Sequence, residues 1–497
     1  MNILLIQPYL LSSVRRLYLN EPIGLLSLAT YIEHTNRHKV DILDLYALGW
    51  DKVASRGRFF TIGLSDYQDI LTRVKAFKPD IVGISCNFTT YSRASFEVAD
   101  LIKENMPDVL VVMGGAHVSM DPEKVLRQDC KADVIVRGEG EETFAELCDC
   151  REKKLDLSPL SGITFRKGSE IVSNPKRPLM TDIDHLPIPN RKFINQDLYT
   201  NINKKMYFLA KNDRIASIMT SRGCPYNCVF CSTKAVWERK FRPRKPESVV
   251  EEISSLVNKY GVTEILINDD QFYLDKNRVI SICELILERG IKISFNVTSG
   301  SSVWLIDSNL LRILKKAGLY RLTFPIESGS PQTLKYIRKP IDLAKTKLLI
   351  KTANTMGIWT YANFIIGFPF ETRSDIEKTF EYAKKSGLDY ATFFIAKPYA
   401  GSDMYETFRE EGLLANQGFD PTTMGECDCD TKNFKAGQLQ DILSKMQKDF
   451  TLFYIFRFFN PLYLYINILP KLSRGGLLYF LKYMRAQVLY FLGTFDR

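Results

Sequence analysis

Apolar and polar positions along the first 150 residues follow two interleaved patterns. Short apolar runs at residues 3–6, 40–45, 81–85, 110–113 and 134–136 are separated by stretches of helical period, such as 23–33 and 92–104. Apolar runs this short predict strands covered on both faces. Strands alternating with helices predict an α/β fold built on an open, doubly wound parallel sheet. Ligands of such a sheet lie beyond the carboxyl ends of its strands. Those ends carry Gln7-Pro8, Ser85-Cys86-Asn87, Gly114-Gly115-Ala116-His117 and Arg137-Gly138-Glu139-Gly140-Glu141.

Residues 151–205 lose the alternation and read as a connector rich in Pro, Asp, Lys and Arg, with a hairpin expected at 162–172 around Lys167-Gly168. From 206 to 425 the alternation returns. Strands are expected at 216–220, 264–268, 292–296, 321–325, 359–366 and 391–396, and helices at 246–260, 276–288, 308–317, 330–336, 343–356 and 373–386. Six β/α units predict a partial (β/α) barrel, whose chemistry gathers at the carboxyl ends of its strands. Residues 426–497 predict a helical C-terminal region. From Phe450 onward one acidic residue, Asp496, faces six basic ones among Phe, Tyr and Leu, and the longest uncharged run, 458–470, is 13 residues. That is too short to span a bilayer. The expectation is a helical cap on the barrel, with a basic, aromatic segment lying on a membrane surface as the alternative.

Composition narrows the class. With 45% hydrophobic and 25% charged residues over 497 positions, the chain reads as globular rather than disordered or coiled coil. The net charge is 67 − 57 = +10, which allows an anionic cofactor or surface but does not argue for nucleic acid. Ten cysteines are too few for a disulfide scaffold. The first residues read as a strand ending at Pro8, not a signal peptide, so a reducing cytoplasm is expected, where clustered cysteines serve as metal ligands.

Cys224-Pro225-Tyr226-Asn227-Cys228-Val229-Phe230-Cys231 is such a cluster, and accident would produce this spacing only about 0.004 times in a chain of this composition. It follows the first expected barrel strand, in a loop opened by Ser221-Arg222-Gly223. A structural zinc site takes four ligands, and no fourth Cys or His lies near: the next cysteine is Cys283, and His stands only at 34, 38, 117 and 185. Three thiolates suit a four-iron four-sulfur cluster with one open iron.

A CxxxCxxC loop after the first strand of a partial barrel resembles the radical-SAM superfamily. The resemblance implies that Cys224, Cys228 and Cys231 hold the cluster and that the open iron chelates S-adenosylmethionine. Ile267-Asn268-Asp269-Asp270-Gln271-Phe272 stands where the family meets the methionine amine. Ile326-Glu327-Ser328-Gly329-Ser330 resembles the segment at ribose and carboxylate, and the stretch from Ala362 through Ile366 and Gly367 to Glu371 resembles the motif beside adenine. Phe230 fills the aromatic place before the third cysteine.

Ser85-Cys86-Asn87, 26 residues (88–113), then Gly114-Gly115 resembles the Ser-x-Leu…Gly-Gly spacing of cobalamin-binding domains, with Asn87 in place of the leucine. The segment from Tyr18 to Leu28 and the Gly138-Glu139 loop share that resemblance. It implies a Rossmann-like cobalamin domain at 1–150, a connector at 151–205, a radical-SAM barrel at 206–425, and cofactor contacts from Ser85, Gly114, Gly115, His117, Gly138 and Glu139. The loop after the first strand has no Asp-x-His-x-x-Gly, so no histidine ligand to cobalt is expected there. His117 reads either as a hydrogen-bond partner of the corrin or as a cap of the following helix. His34, His38 and His185 read as structural, and the pairs Cys148/Cys150 and Cys427/Cys429 as ordinary thiols.

The family resemblance implies a cobalamin-dependent radical-SAM enzyme that methylates an unactivated carbon, with oxidative cyclisation or rearrangement as the alternative. It also implies a small-molecule, lipid-like or isoprenoid-like substrate and a flavodoxin- or ferredoxin-type electron donor. No particular catalytic residue follows from these motifs.

Overall fold

The computed structural model describes the chain except residues 13–19, 36–37, 58, 207–209, 300, 415–428, 458, 473–476, 478, 483 and 486–497. Two compact units result, the first from Met1–Ile202 with Ala235–Glu238, the second from Asn203–Lys234 and the described residues from Arg239 onward.

In the first unit, β1 (Asn2–Gln7), β2 (Lys39–Asp44), β3 (Ile81–Ser85), β4 (Leu110–Gly114) and β5 (Val134–Val136) are parallel and lie in the order β2-β1-β3-β4-β5. Two antiparallel strands, β6 (Ile163–Lys167) and β7 (Glu170–Ser173), extend that edge. The hairpin expected in the connector thus completes the N-terminal sheet, and the segment through Ile202 folds with it. Alternate side chains explain the two-faced burial. Leu4, Ile6, Val82, Ile84, Val111 and Met113 pack on one face, whereas Ile3, Leu5, Ile81, Val112 and Val134 pack on the other against α1 (Ile23–His34) and α4 (Glu141–Lys153). Between them in sequence lie α2 (Tyr67–Phe77) and α3 (Ser92–Asn105). Strand order reverses direction between β1 and β3, which opens a crevice at their carboxyl ends. The sequence reading missed a small antiparallel sheet of Leu10–Ser12, Val53–Arg56 and Phe59–Ile62.

The second unit holds six parallel strands in simple order: β8 (Ile215–Ile218), β9 (Glu264–Ile267), β10 (Ser294–Val297), β11 (Leu319–Glu327), β12 (Trp359–Ile366) and β13 (Tyr390–Ile395). The connecting helices start and stop on local signals. Pro246 opens one of them and Gly261 ends it in the left-handed region at φ +63°, while Thr372 and Asp375 form a capping box on another. One face of the sheet is apolar: Ala216, Ile218, Ile265, Ile267, Phe295, Val297, Leu322, Phe324, Ile326, Ala362, Phe364 and Ile366 meet the helices. The alternate positions, among them Ser217, Asn296, Arg321, Thr323, Glu327 and Asn363, therefore bring many polar groups to the inner face. A long helix, α5 (Ala436–Arg457), packs Leu439, Leu443, Met446 and Phe450 into the barrel core. Its Gln447 takes the Phe393 N–H at 3.2 Å and donates to the Ala391 carbonyl at 3.1 Å, so β13 does not remain an open edge. Among the described residues, no helix is long and apolar enough to cross a membrane.

Candidate functional site

The barrel site lies at the carboxyl ends of β8 to β12. Cys224, Cys228 and Cys231 are half-buried in one loop, close enough for each to bear on the charge of Cys228. The loop is held from both sides. The Val229 N–H reaches the Ile337 carbonyl at 3.3 Å, the Met404 N–H reaches the Val229 carbonyl at 2.8 Å, and the Val229 side chain packs with Phe368 and Met404. Burial pushes the Cys228 thiol up to about 11 and raises Cys224 as well. Each thiolate would therefore need a cation to hold it.

One such cation is Lys339, which sequence reasoning missed. Its ammonium and the Glu327 carboxylate stand 2.7 Å apart, at only 6% and 8% exposure. Burial opposes the charge on Lys339, but Glu327 and then Cys228 outweigh it and hold the lysine above its usual pKa. The ammonium also lies 5.7 Å from the Phe230 ring centre. Glu327 ends β11 at φ +65°, a left-handed conformation costly for a non-glycine residue, which turns its carboxylate onto Lys339.

Gln271 bridges the cysteine loop to the next wall. Its amide donates to Cys224 Sγ at 3.3 Å and accepts from the Ser302 N–H at 3.1 Å. Asp270 is partly exposed, and burial pushes its carboxyl up to about 6.

Three of the expected contact residues face elsewhere. Asp269 is fully buried and takes hydrogen bonds from the Thr220 N–H at 2.5 Å, the Thr220 hydroxyl and the Ser221 hydroxyl at 2.6 Å. It anchors the start of the cysteine loop. Ser328 is spent on Thr379, 3.0 Å away. Ile366 points its side chain into the outer core, because it shares the parity of Ala362 and Phe364. Gly367, at φ +85°, donates to Glu371 at 2.6 Å, and burial raises that carboxyl to about 7. Gly329 must be glycine, since a Cβ there would stand 2.7 Å from both the Lys378 carbonyl and Tyr382. Asn363 Oδ1, on the inner face, is buried and has no hydrogen-bond partner among the described residues. An orphaned acceptor facing the barrel interior fits a site built to receive a polar ligand.

In the first unit the expected loops do come together. The Cys86 N–H reaches the Gly114 carbonyl at 2.7 Å, and the His117 N–H reaches the Cys86 carbonyl at 3.2 Å. A Cβ on Gly115 would stand 2.6 Å from the Cys86 carbonyl, so only glycine permits this approach. Ser85 pairs with Gly114 across β3 and β4, and its hydroxyl accepts from Asn87 at 3.2 Å. Around Gly138 a Cβ would meet nothing within 4 Å, so the edge of this crevice is open. His117 Nδ1 lies 3.0 Å from the Thr89 hydroxyl, and burial, helped by Lys124, lowers the imidazole to about 4, leaving it neutral at pH 7. Glu139 is tied to the Met180 N–H at 2.9 Å, so its carboxylate is turned onto its own chain. Tyr18 and Cys427 lie outside the described residues.

Comparison with known proteins assigns a family to each stretch of the chain. The B12 binding domain matches residues 14–148, and the radical SAM superfamily matches residues 218–383. A protein of Pyrococcus horikoshii, named as an uncharacterized methyltransferase, is 35% identical over 91% of this chain and 93% of its own length. The chain belongs to the cobalamin-binding radical-SAM family. Another family member, cytidylyl-2-hydroxyethylphosphonate methyltransferase of Streptomyces wedmorensis, is 30% identical over 79% of this chain and 78% of its own length. Among solved structures, the cobalamin-dependent radical enzyme OxsB, with aqua-cobalamin and S-adenosylmethionine bound, shares the fold at TM-score 0.69 and 17% identity, covering 99% of this chain and 72% of that one. As a radical-SAM enzyme, the chain is expected to act on a small molecule and to draw on an electron donor.

Proposed function

We propose that this radical-SAM enzyme transfers a methyl group to an unactivated carbon of a small apolar metabolite. The observation that carries the reading is the convergence of three half-buried thiols with the buried Lys339–Glu327 pair at the carboxyl ends of the barrel strands. The methyltransferase names of both relatives support methyl transfer over the cyclising alternative.

In this reading Cys224, Cys228 and Cys231 hold a four-iron four-sulfur cluster and leave one iron open. Phe230, Asp270, Gln271, Glu327 and Gly367 surround S-adenosylmethionine, with Asp269, Ser328 and Ile366 positioning that wall from behind. Ser85, Gly114, Gly115, His117 and Gly138 form the cobalamin crevice, and Glu139 fixes its edge through the Met180 N–H. When bound, these groups together supply radical formation by carbon–sulfur cleavage and a transferable methyl group. The chain's own work is electrostatic and steric. Lys339 offsets thiolate charge beside Cys228, Gln271 fixes Cys224, and the neutral His117 can exchange hydrogen bonds without bringing a charge into the crevice. A flavodoxin- or ferredoxin-type protein is the proposed electron donor.

Anaerobic loading with iron, sulfide and hydroxocobalamin tests the reading. The expected result is about four irons and one cobalt per chain. Gly115→Val should remove the cobalt and spare the iron, because its side chain would force Cys86 away from Gly114. Four irons without cobalt in the parent protein would defeat the methyl-transfer reading. A substrate that gains a ring and no methyl group would shift it to oxidative cyclisation.

We further propose that the C-terminal region meets a lipid surface and takes its substrate there. Phe456, Phe459, Leu462 and Tyr465 are 65%, 78%, 65% and 71% exposed. Among the described cations nearby, Arg457 donates to the Leu388 carbonyl, Lys471 pairs with buried Asp389 and Lys482 pairs with Asp213, whereas Arg485 is exposed. The proposed contact is led by the apolar side chains. Co-sedimentation with phosphatidylcholine vesicles should occur and should weaken roughly tenfold or more in Phe459→Ser/Tyr465→Ser, as expected for two exposed aromatic side chains. Vesicles that carry down no protein would refute it.

A further inference from the structure

We propose that His38, Asp149 and Glu152 form a divalent-metal site in the first unit, at the edge of the sheet opposite the strands' carboxyl ends. His38 immediately precedes β2, whose first residue, Lys39, pairs with Asn2 of β1 and donates its N–H to the Met1 carbonyl at 3.0 Å. Asp149 and Glu152 stand three residues apart on the last turns of α4, and so share a face of the helix.

The His38 side chain is only 3% exposed, and among the described residues neither buried ring nitrogen has a hydrogen-bond partner. An imidazole in that state has lost its hydration with nothing in exchange, which native structures rarely tolerate. Its surroundings show what it is aimed at. Nε2 lies 3.8 Å from an Asp149 carboxylate oxygen, and Nδ1 lies 4.0 Å from a Glu152 oxygen. Both separations are too long for hydrogen bonds. One ligand atom from each of the three residues lies within 4.8 Å of the other two. Two ligands of one ion, each about 2.1 Å from it, stand roughly 3–4 Å apart, so small side-chain rotations would close the trio on a cation. One imidazole with two carboxylates suits Mn²⁺, Fe²⁺ or Zn²⁺. The C-terminal turns of α4 add the negative end of the helix dipole. An ion here would clamp the start of β2 to α4, the helix that begins directly after Gly140 of the Gly138-Glu139 loop.

The cluster-loaded, full-length protein is titrated anaerobically with Mn²⁺, following the free-ion electron paramagnetic resonance signal. Thiolates do not favour this ion, so the cysteines contribute little. The expected result is one Mn²⁺ per chain, displaced by Zn²⁺, with affinity at least tenfold weaker in both His38→Gln and the near-isosteric Asp149→Asn. The iron content should stay unchanged throughout, which separates this site from the radical site. No uptake of either ion by the parent, or a His38→Gln variant that folds and binds like the parent, would overturn the proposal. A His38→Gln variant that fails to fold leaves Asp149→Asn as the deciding case, and parent-like binding there would overturn it equally.

Discussion

Cys228→Ala, and equally Cys224→Ala or Cys231→Ala, is expected to bring bound iron from about four per chain to near zero and to abolish cleavage of S-adenosylmethionine. The reason is that three protein thiolates are the minimum that holds such a cluster while leaving an iron open. Among the described residues, the next thiol along the chain, Cys283, is buried in the barrel core beneath its helices. Cys283→Ala is therefore the matched control, expected to keep its iron. Iron analysis and assay of the cleavage product under anaerobic reduction check both arms. Full iron in Cys228→Ala would show that the loop is not the cluster site.

Lys339→Met should be nearly as damaging, through a different term. It leaves Glu327 buried at 8% exposure near Cys228, without its cation. Breaking a buried pair by removing one partner typically costs about 3–5 kcal/mol, because the remaining charge keeps its desolvation penalty. Glu327→Gln removes that charge, so the double variant should recover most of the stability measured by denaturant unfolding, while binding of S-adenosylmethionine stays weak in both. Additive losses in the double-mutant cycle would show that the two residues do not act as a pair.

How much of this was readable in advance depended on sequence distance. Cys224, Cys228 and Cys231 lie within eight consecutive residues, so spacing alone exposed them. Lys339 gave no comparable signal. It stands 12 residues after Glu327, beyond a short helix at Pro331–Tyr336, and one lysine among 67 basic residues carries no mark of burial. A closer reading could have found part of the rest. The alternation along β12 already assigns Ile366 to the same face as Ala362 and Phe364, and Asn363 to the other. Asp269 and Asp270 are adjacent, so a strand end must send them to different sides; which of them is buried is settled by the hydroxyls of Thr220 and Ser221 reaching Asp269.

The amino-acid sequence by itself determined the strand and helix alternation, the two sets of ligand-bearing loops and the cysteine loop, because each of these rests on periodicity or on residues close along the chain. The tertiary structure alone decided the rest. It joined β6 and β7 to the first sheet, turned Glu327 onto Lys339, spent Asp269 and Ser328 on internal hydrogen bonds, and left His38 facing two carboxylates more than 100 residues away. These are outcomes of burial and of which partner lies across the space. Both are set when distant segments pack, and neither leaves a local trace in the order of residues.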